Sequence, residues 1–239
     1  MNVKGFTLLE IIVSLALLGT IMVTTFSFIN TSSSASSSSN SNNELVREGQ
    51  IAQQVLAARV KEACYIFPNT TNIALGAGGW SKRNFFSGSM FWIIGADPFI
   101  ALLLPPEAGA TASAPYRFFA YFAMSRNEYV SRATGGNNPG ADALNDANTW
   151  VLLQFQAEVV PTVANSTCAA ISTQSSFNTL IASSIDDADL LLDYVDIPAN
   201  RNELFKVNPN YVDYDIRLRK TSAGGSVIRI GGPGAQSSL

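Results

Sequence analysis

The chain has 239 residues, a formal net charge of −3 and only 14% charged residues, a balance that argues against a broad electrostatic footprint for nucleic acid. It contains no histidine, which excludes Ser-His and Cys-His nucleophile pairs and any zinc site built on imidazole. Its two cysteines, Cys64 and Cys168, form no Cys-x-x-Cys pair, so zinc-ribbon and thioredoxin-like readings have no support.

Met1-Asn2-Val3-Lys4 is a short leader with one positive charge, followed by Gly5-Phe6-Thr7-Leu8-Leu9-Glu10. An apolar run then extends to about Ile29, with no further charge until Glu44. Some 24 apolar residues make roughly 36 Å of helix, enough to span a bilayer. A charge at the bilayer centre costs about 2.5–3.5 kcal/mol on the insertion scale, so an ionised Glu10 needs a partner. A secretory signal peptide has a longer basic region and a small-residue cleavage site after its apolar core, and a plain anchor has no use for Glu10.

Gly5-Phe6-Thr7-Leu8-Leu9-Glu10 with its apolar run resembles the class III signal of type IV prepilins and type II secretion pseudopilins. The resemblance covers about the first 30 residues. It implies a leader of residues 1–5, cleavage between Gly5 and Phe6 by a membrane aspartyl prepilin peptidase, and N-methylation of Phe6. It places Glu10 at the fifth mature position, where it pairs with the free amine of a neighbouring subunit during assembly. A buried cation and a buried anion each become tolerable only when they meet. The implied fold is α+β and pilin-like: a long N-terminal hydrophobic helix with an antiparallel β-sheet head.

The 6–30 segment is therefore expected to be the transmembrane and filament-core helix. Residues 31–43, almost entirely Ser and Asn, read as a linker, because these side chains compete for backbone hydrogen bonds. Either a frayed, solvated helix or a true break is expected there. Residues 44–239 form the head. Within it, a helix is expected over 44–67, with Leu45, Ala52, Val55, Leu56, Val60, Ala63 and Phe67 recurring at spacings near three and four. This helix resembles that of larger minor pilins and J-type pseudopilins.

Gly76 to Trp80 reads as a turn, since no Gly-Lys-Ser/Thr follows to make a phosphate loop. Strands are expected at Met90–Ile94, Phe99–Leu104, Tyr116–Met124, Trp150–Val160 and Leu190–Ile197. Val212, Tyr214, Ile216 and Leu218 alternate with Asp213, Asp215, Arg217 and Arg219, and Val227–Ile230 returns to close a hairpin. The tail from Gly231 to Leu239 is expected to be mobile. The order of these last segments resembles J-type and W-type minor subunits.

Cys64 and Cys168 are candidates for one disulfide in an oxidising compartment, the alternative being two buried thiols. Asp186, Asp187, Asp189, Asp193 and Asp196, with Asp142, Asn145 and Asp146, are the only oxygen-rich candidates for calcium; turn caps and solvated faces are the simpler expectation. Arg201, Lys206, Arg217, Arg219, Lys220 and Arg229, near Phe205, Tyr211 and Tyr214, offer phosphate contact and base stacking, or else the wet side of a sheet.

The sequence reading is thus a minor pilin-like structural subunit, not an enzyme, with no cofactor and no metal. The resemblance implies export to the bacterial inner membrane in a single pass, head outside the cytoplasm, and then a place in a pilus at the cell surface. Implied partners are other major and minor pilin subunits, prepilin peptidase, the inner-membrane assembly platform and membrane lipid before assembly. Tip priming, pilus biogenesis, twitching motility and DNA uptake are the implied roles. The alternatives are a minor pseudopilin of type II secretion, and a tip adhesin or DNA-binding pilin.

Overall fold

The computed structural model describes residues 7–76, 79–107, 109–164, 166–183, 188–208, 211–221 and 227–235. Gly5 and Phe6 lie outside them, as do Asp186 and Asp187.

One helix, α1 (Leu8–Glu62), runs 55 residues without interruption. Thr7 caps it. The 31–43 segment stays helical and solvated, so there is no break between rod and head. Helix propagation explains this: once good formers on either side are wound, each weak residue between them adds a bond without a new nucleus. Hydroxyls that would compete for the backbone fold back instead, as Thr31 Oγ1 does onto the Ser27 carbonyl at 2.9 Å. The helix ends at Glu62, five residues short of the expected Phe67. The Cys64 amide donates to the Leu103 carbonyl at 2.9 Å and draws the chain into β1 (Tyr65–Ile66). Phe67 still reaches the core, but on extended chain, edge-on to Phe118.

Among the described residues, eight strands form one antiparallel sheet. Besides β1 they are β4 (Phe99–Leu104), β5 (Tyr116–Ser125), β6 (Thr149–Val159), β7 (Asp189–Asp196), β8 (Phe205–Asn208), β9 (Tyr211–Arg219) and β10 (Val227–Ala235). Their order is β1-β4-β5-β6-β7-β9-β10, with β8 also on β9. The embedded part of α1 touches both β4 and the edge strand β10, so the sheet curls around it. On the opposite face lie a two-stranded sheet, β2 (Asn72–Ala74) with β3 (Phe91–Ile93), and the short helices α3 (Cys168–Thr173) and α4 (Phe177–Ser183). A third short helix, α2 (Arg126–Arg132), follows β5.

Coverage on two faces explains the composition of the central strands. β4 is buried at every position and β5 at all but its ends, so both read as unbroken apolar runs. Trp92 stacks on Phe99 and lies tilted against Phe122 from one side, while Arg59 of α1 lies over Phe119 from the other. β9 alternates strictly because one of its faces meets water.

The C-terminal expectation needs correction. Gly231–Ala235 is not a free tail; it pairs in register with Asp215 back to Tyr211. The first half of β9 offers an edge, and Pro233 is tolerated because β10 is itself an edge strand. Gly231 permits the approach: a Cβ there would sit 2.7 Å from the Tyr214 carbonyl oxygen.

β7 and β8 lie along the same side of β9, through Val195↔Leu218 and Phe205↔Tyr214. Between them, Pro198 and a 3-10 turn at Arg201–Glu203 carry the chain out of the sheet. The Leu204 carbonyl returns it by accepting the Asp215 amide at 3.2 Å.

Candidate functional site

Among the described residues, the first half of α1 is exposed along its length. Its apolar residues are exposed, from Leu8 at 76% through Phe26 at 67%. Leu9, Ile11, Ile12, Leu15 and Leu18 share this exposure. It is the one helix among the described residues long and apolar enough to cross a membrane, and none of its apolar window is buried.

Glu10 sits one turn inside this helix. Its Oε2 accepts the Thr7 amide at 3.0 Å and the Thr7 hydroxyl at 3.1 Å, while the Glu10 amide donates back to Thr7 Oγ1 at 3.3 Å. This reciprocal capping box satisfies helix-end donors and places a carboxylate at the positive end of the helix dipole. The charge is therefore held locally before any second chain arrives. Thr7 is the capping residue that the sequence reading passed over. Thr-x-x-Glu ahead of an apolar run was its visible signal.

Where α1 enters the head, Arg126 at the start of α2 is fully buried. Its Nε and NH2 donate to Asp193 Oδ1 and Oδ2 at 2.7 and 2.9 Å, and its NH1 pairs with Asp146. The Gly140 carbonyl and the Tyr194 hydroxyl complete the ring at 3.1 and 3.3 Å, with the guanidinium 4.5 Å from the Tyr194 ring centroid. Of the aspartates considered for calcium, Asp193 and Asp146 are thus partnered by a protein cation. Asp142 accepts from Tyr194 and Asn145, and these bonds with that of the Leu144 amide hold its carboxyl below the usual range although burial pushes it up. Asp196 pairs with Arg219, and Asp189 accepts from Asn137. No group of three or more metal-binding side chains occurs among the described residues.

The late-chain cations are mostly neutralised. Asp215 bridges Arg217 at 3.1 Å and Arg229 at 2.6 Å, and both hold its carboxyl low against the opposing effect of burial. These arginines face each other across the β9–β10 ladder, a like-charge pair that Asp215 makes tolerable. Lys220 pairs with Glu44 of α1 at 3.7 Å. Arg201 and Lys206 make no ion pair among the described residues.

At the other end of the embedded helix, the sulfurs of Cys64 and Cys168 are bonded, with Cα atoms 5.9 Å apart across 104 residues of sequence. The bridge ties the exit of α1 to α3. The Tyr116 hydroxyl donates to the nearby Ser166 carbonyl.

A cavity of about 330 Å³ lies between α1 and β7, lined by Glu44, Glu48, Asp193, Tyr194 and Lys220 among others. Glu48 Oε2 is sealed from solvent without a hydrogen-bond partner. Burial, then Asp193 and Glu44, push its carboxyl up, with Lys220 opposing.

Residues 1–26 match the prokaryotic N-terminal methylation motif. No match was found among curated proteins or among solved structures. In a chain with an exposed apolar helix and a curled antiparallel head, these first 26 residues carry the class III signal of type IV prepilins and pseudopilins.

Proposed function

We propose that the chain is a minor pilin-like subunit of a type IV pilus or related filament, acting near the tip to prime assembly and so supporting pilus biogenesis, twitching motility or DNA uptake. Cleavage falls between Gly5 and Phe6, and Phe6 is methylated. Lys4 keeps the leader cytoplasmic, so the helix anchors the chain in a single pass with its head outside. Leu8, Leu9, Ile11, Ile12, Leu15 and Leu18 pack the filament core. The N-terminal methylation motif points to a structural subunit and not to an enzyme.

One observation supports this reading above others: a lone carboxylate, Glu10, at the head of an apolar helix that nothing among the described residues covers. Thr7 makes that carboxylate bearable in the membrane, and the new amine of a neighbouring Phe6 then provides the opposite charge. Glu10→Val is expected to insert normally and to be lost from sheared filaments. Incorporation at the wild-type level would refute the role of Glu10. Mass spectrometry of assembled material reads the cleavage directly, and Met1 retained there overturns it. A clean deletion scored together for piliation, motility, DNA uptake and enzyme secretion separates the pilus from the secretion alternative. The pairing of four late-chain cations with carboxylates weakens the DNA-binding alternative.

A further inference from the structure

Between its apolar half and the half packed on the head, α1 crosses residues 31–40, Thr-Ser-Ser-Ser-Ala-Ser-Ser-Ser-Ser-Asn. All of these except Ser38 are exposed. The chain carries no charge from residue 11 to residue 43, so no ion pair one turn apart can brace the stretch. Thr31 Oγ1 folds back onto the Ser27 carbonyl, and among the described residues no hydroxyl of residues 32–39 bonds to the head. The hold of the head begins further on. Lys220 reaches Glu44 at 3.7 Å, Leu45 is buried, and Gly49 lies against Ile230. On the other side, the apolar run has ended at Ile29.

Winding of this stretch therefore rests on backbone bonds alone, and magnitudes decide how firmly. A good helix former propagates with a factor of about 1–1.6 per residue. Serine, threonine and asparagine fall about twofold below alanine. Ten residues of this composition multiply to a few parts in a thousand against winding, by roughly a twofold loss at each. Opening a gap inside a helix makes two new ends, and that penalty is itself on the order of a few parts in a thousand. The two factors nearly cancel. Wound and unwound forms of residues 31–40 are then comparably populated, while lipid or a bundle holds the helix before them and the head holds it after.

We propose that residues 31–40 are a helix-to-coil joint built into α1, which unwinds while both flanking helices stay wound and so uncouples the head from the apolar half. The joint needs two differently held halves and does not depend on the filament reading. Unwinding takes each residue from a rise of about 1.5 Å to at most about 3.3–3.6 Å, so the head can travel outward by up to roughly 20 Å. Movement of the head breaks no packed contact of the stretch except that of Ser38, because its other residues already face water. A rigid rod from Leu8 to Glu62 is the competing picture, and it requires a middle third that winds as firmly as its flanks.

Hydrogen exchange of the full-length chain in lipid nanodiscs tests this. Amides of residues 35–44 bond back to residues 31–40 and should exchange within about tenfold of the free-chain rate, with strong protection before and after them. Replacing Ser32, Ser33, Ser34, Ser36, Ser37, Ser38 and Ser39 together by Ala should slow them by roughly a hundredfold and leave both flanks unchanged, about twofold for each residue. Ser33→Glu with Ser37→Lys does the same without lengthening the apolar run, by roughly eightfold from two better formers and one pair. Uncoupling is read by spin labels on Ile21→Cys and Gln54→Cys, since the native cysteines are bonded to each other. A wound helix holds the two sites about 50 Å apart. The unmodified stretch should give a broad distribution of distances, and either variant a narrow one. Protection that runs unbroken through residues 35–44, exchange there that neither variant slows, or a distribution no broader than that of the variants overturns the proposal.

Discussion

The two halves of α1 are one helix in two settings. From Leu8 to Ile29 it is apolar on every side and exposed on every side; from Leu45 to Val60 only a stripe is buried, formed by Leu45, Gly49, Ala52, Leu56 and Val60. A helix that is apolar all round belongs in lipid or in a bundle of its own kind, whereas a stripe belongs on a globular core. Backbone hydrogen bonds carry the helix across both, while the surroundings required by each half differ. The first half depends on another molecule or a membrane, and the second on the head. The Ser/Asn stretch joins them as continuous helix.

Breaking the head's side of this division should leave the membrane side intact. The largest effect is expected from Arg126→Met, which strands Asp193 and Asp146 beside an apolar side chain. Removing one member of a buried ion pair costs about 3–5 kcal/mol. Chemical unfolding of the full chain in detergent should register that loss, while membrane insertion stays at the wild-type level. A loss below about 1 kcal/mol would mean that the ring of acceptors around Arg126 relaxes into water.

Next in size is the bridge at the end of the embedded half. A cross-link closing a loop on the order of 100 residues stabilises by up to about 4.7 kcal/mol in the chain-entropy model, and by 2–4 kcal/mol as commonly measured. Cys64→Ser with Cys168→Ser should lower the melting temperature of the head and increase protease cutting around α3. Equal protease sensitivity in the two proteins would show that packing alone holds α3.

A smaller effect sharpens the comparison within the helix itself. Gly49 lets α1 settle onto β10: a Cβ there would lie 2.7 Å from Ile230 Cδ1 and 3.3 Å from Leu218 Cδ1. Around Gly19, in the exposed half, nothing lies within 4 Å of the same added atom. Alanine gains about 1 kcal/mol of helix propensity at either site, but overpacking at Gly49 costs about 1–3 kcal/mol. Gly49→Ala should therefore come out destabilising by about 1 kcal/mol after Ile230 shifts. Gly19→Ala should leave the unfolding of the head unchanged. A stabilised Gly49→Ala protein would show that the contact with β10 is loose.

These cases also show what could be read in advance. The apolar runs of β4 and β5 and the alternation of β9 were legible because burial on two faces or one writes itself into local sequence. Thr7 with Glu10 was equally legible, a capping box at its standard spacing. Arg126 was not. Ser125-Arg126-Asn127-Glu128 looks like the wet start of a surface helix, and its partners stand 20 and 67 residues away. The end of α1 was misplaced for a similar reason: Phe67 keeps the helical spacing, but a long-range bond to Leu103 decides the backbone. The excursion of the chain through Arg201–Glu203 arises where β7 and β8 interrupt their shared line along β9, a register that no local pattern encodes.

The smallest effect concerns Glu48, at the seam between the two settings. Its carboxyl is pushed up by burial and by Asp193 and Glu44, so folding favours the protonated form. The sign follows from linkage. A carboxylic acid with a raised folded-state pKa contributes its full stability below the unfolded value of about 4.3, and that contribution is lost as pH rises through the folded value. The groups facing it are Glu44 on its own helix, Asp193 and Tyr194 on β7, and Lys220 at the end of β9, with Arg126 behind Asp193. Asp193 and Glu44 add repulsion, and Lys220 opposes them without reversing the direction. Head stability measured from pH 4 upward should carry a falling component that Glu48→Gln removes, leaving the variant the more stable protein at neutral pH. Superimposable stability–pH curves for the two proteins would place Glu48 in water and dissolve the seam as an electrostatic feature.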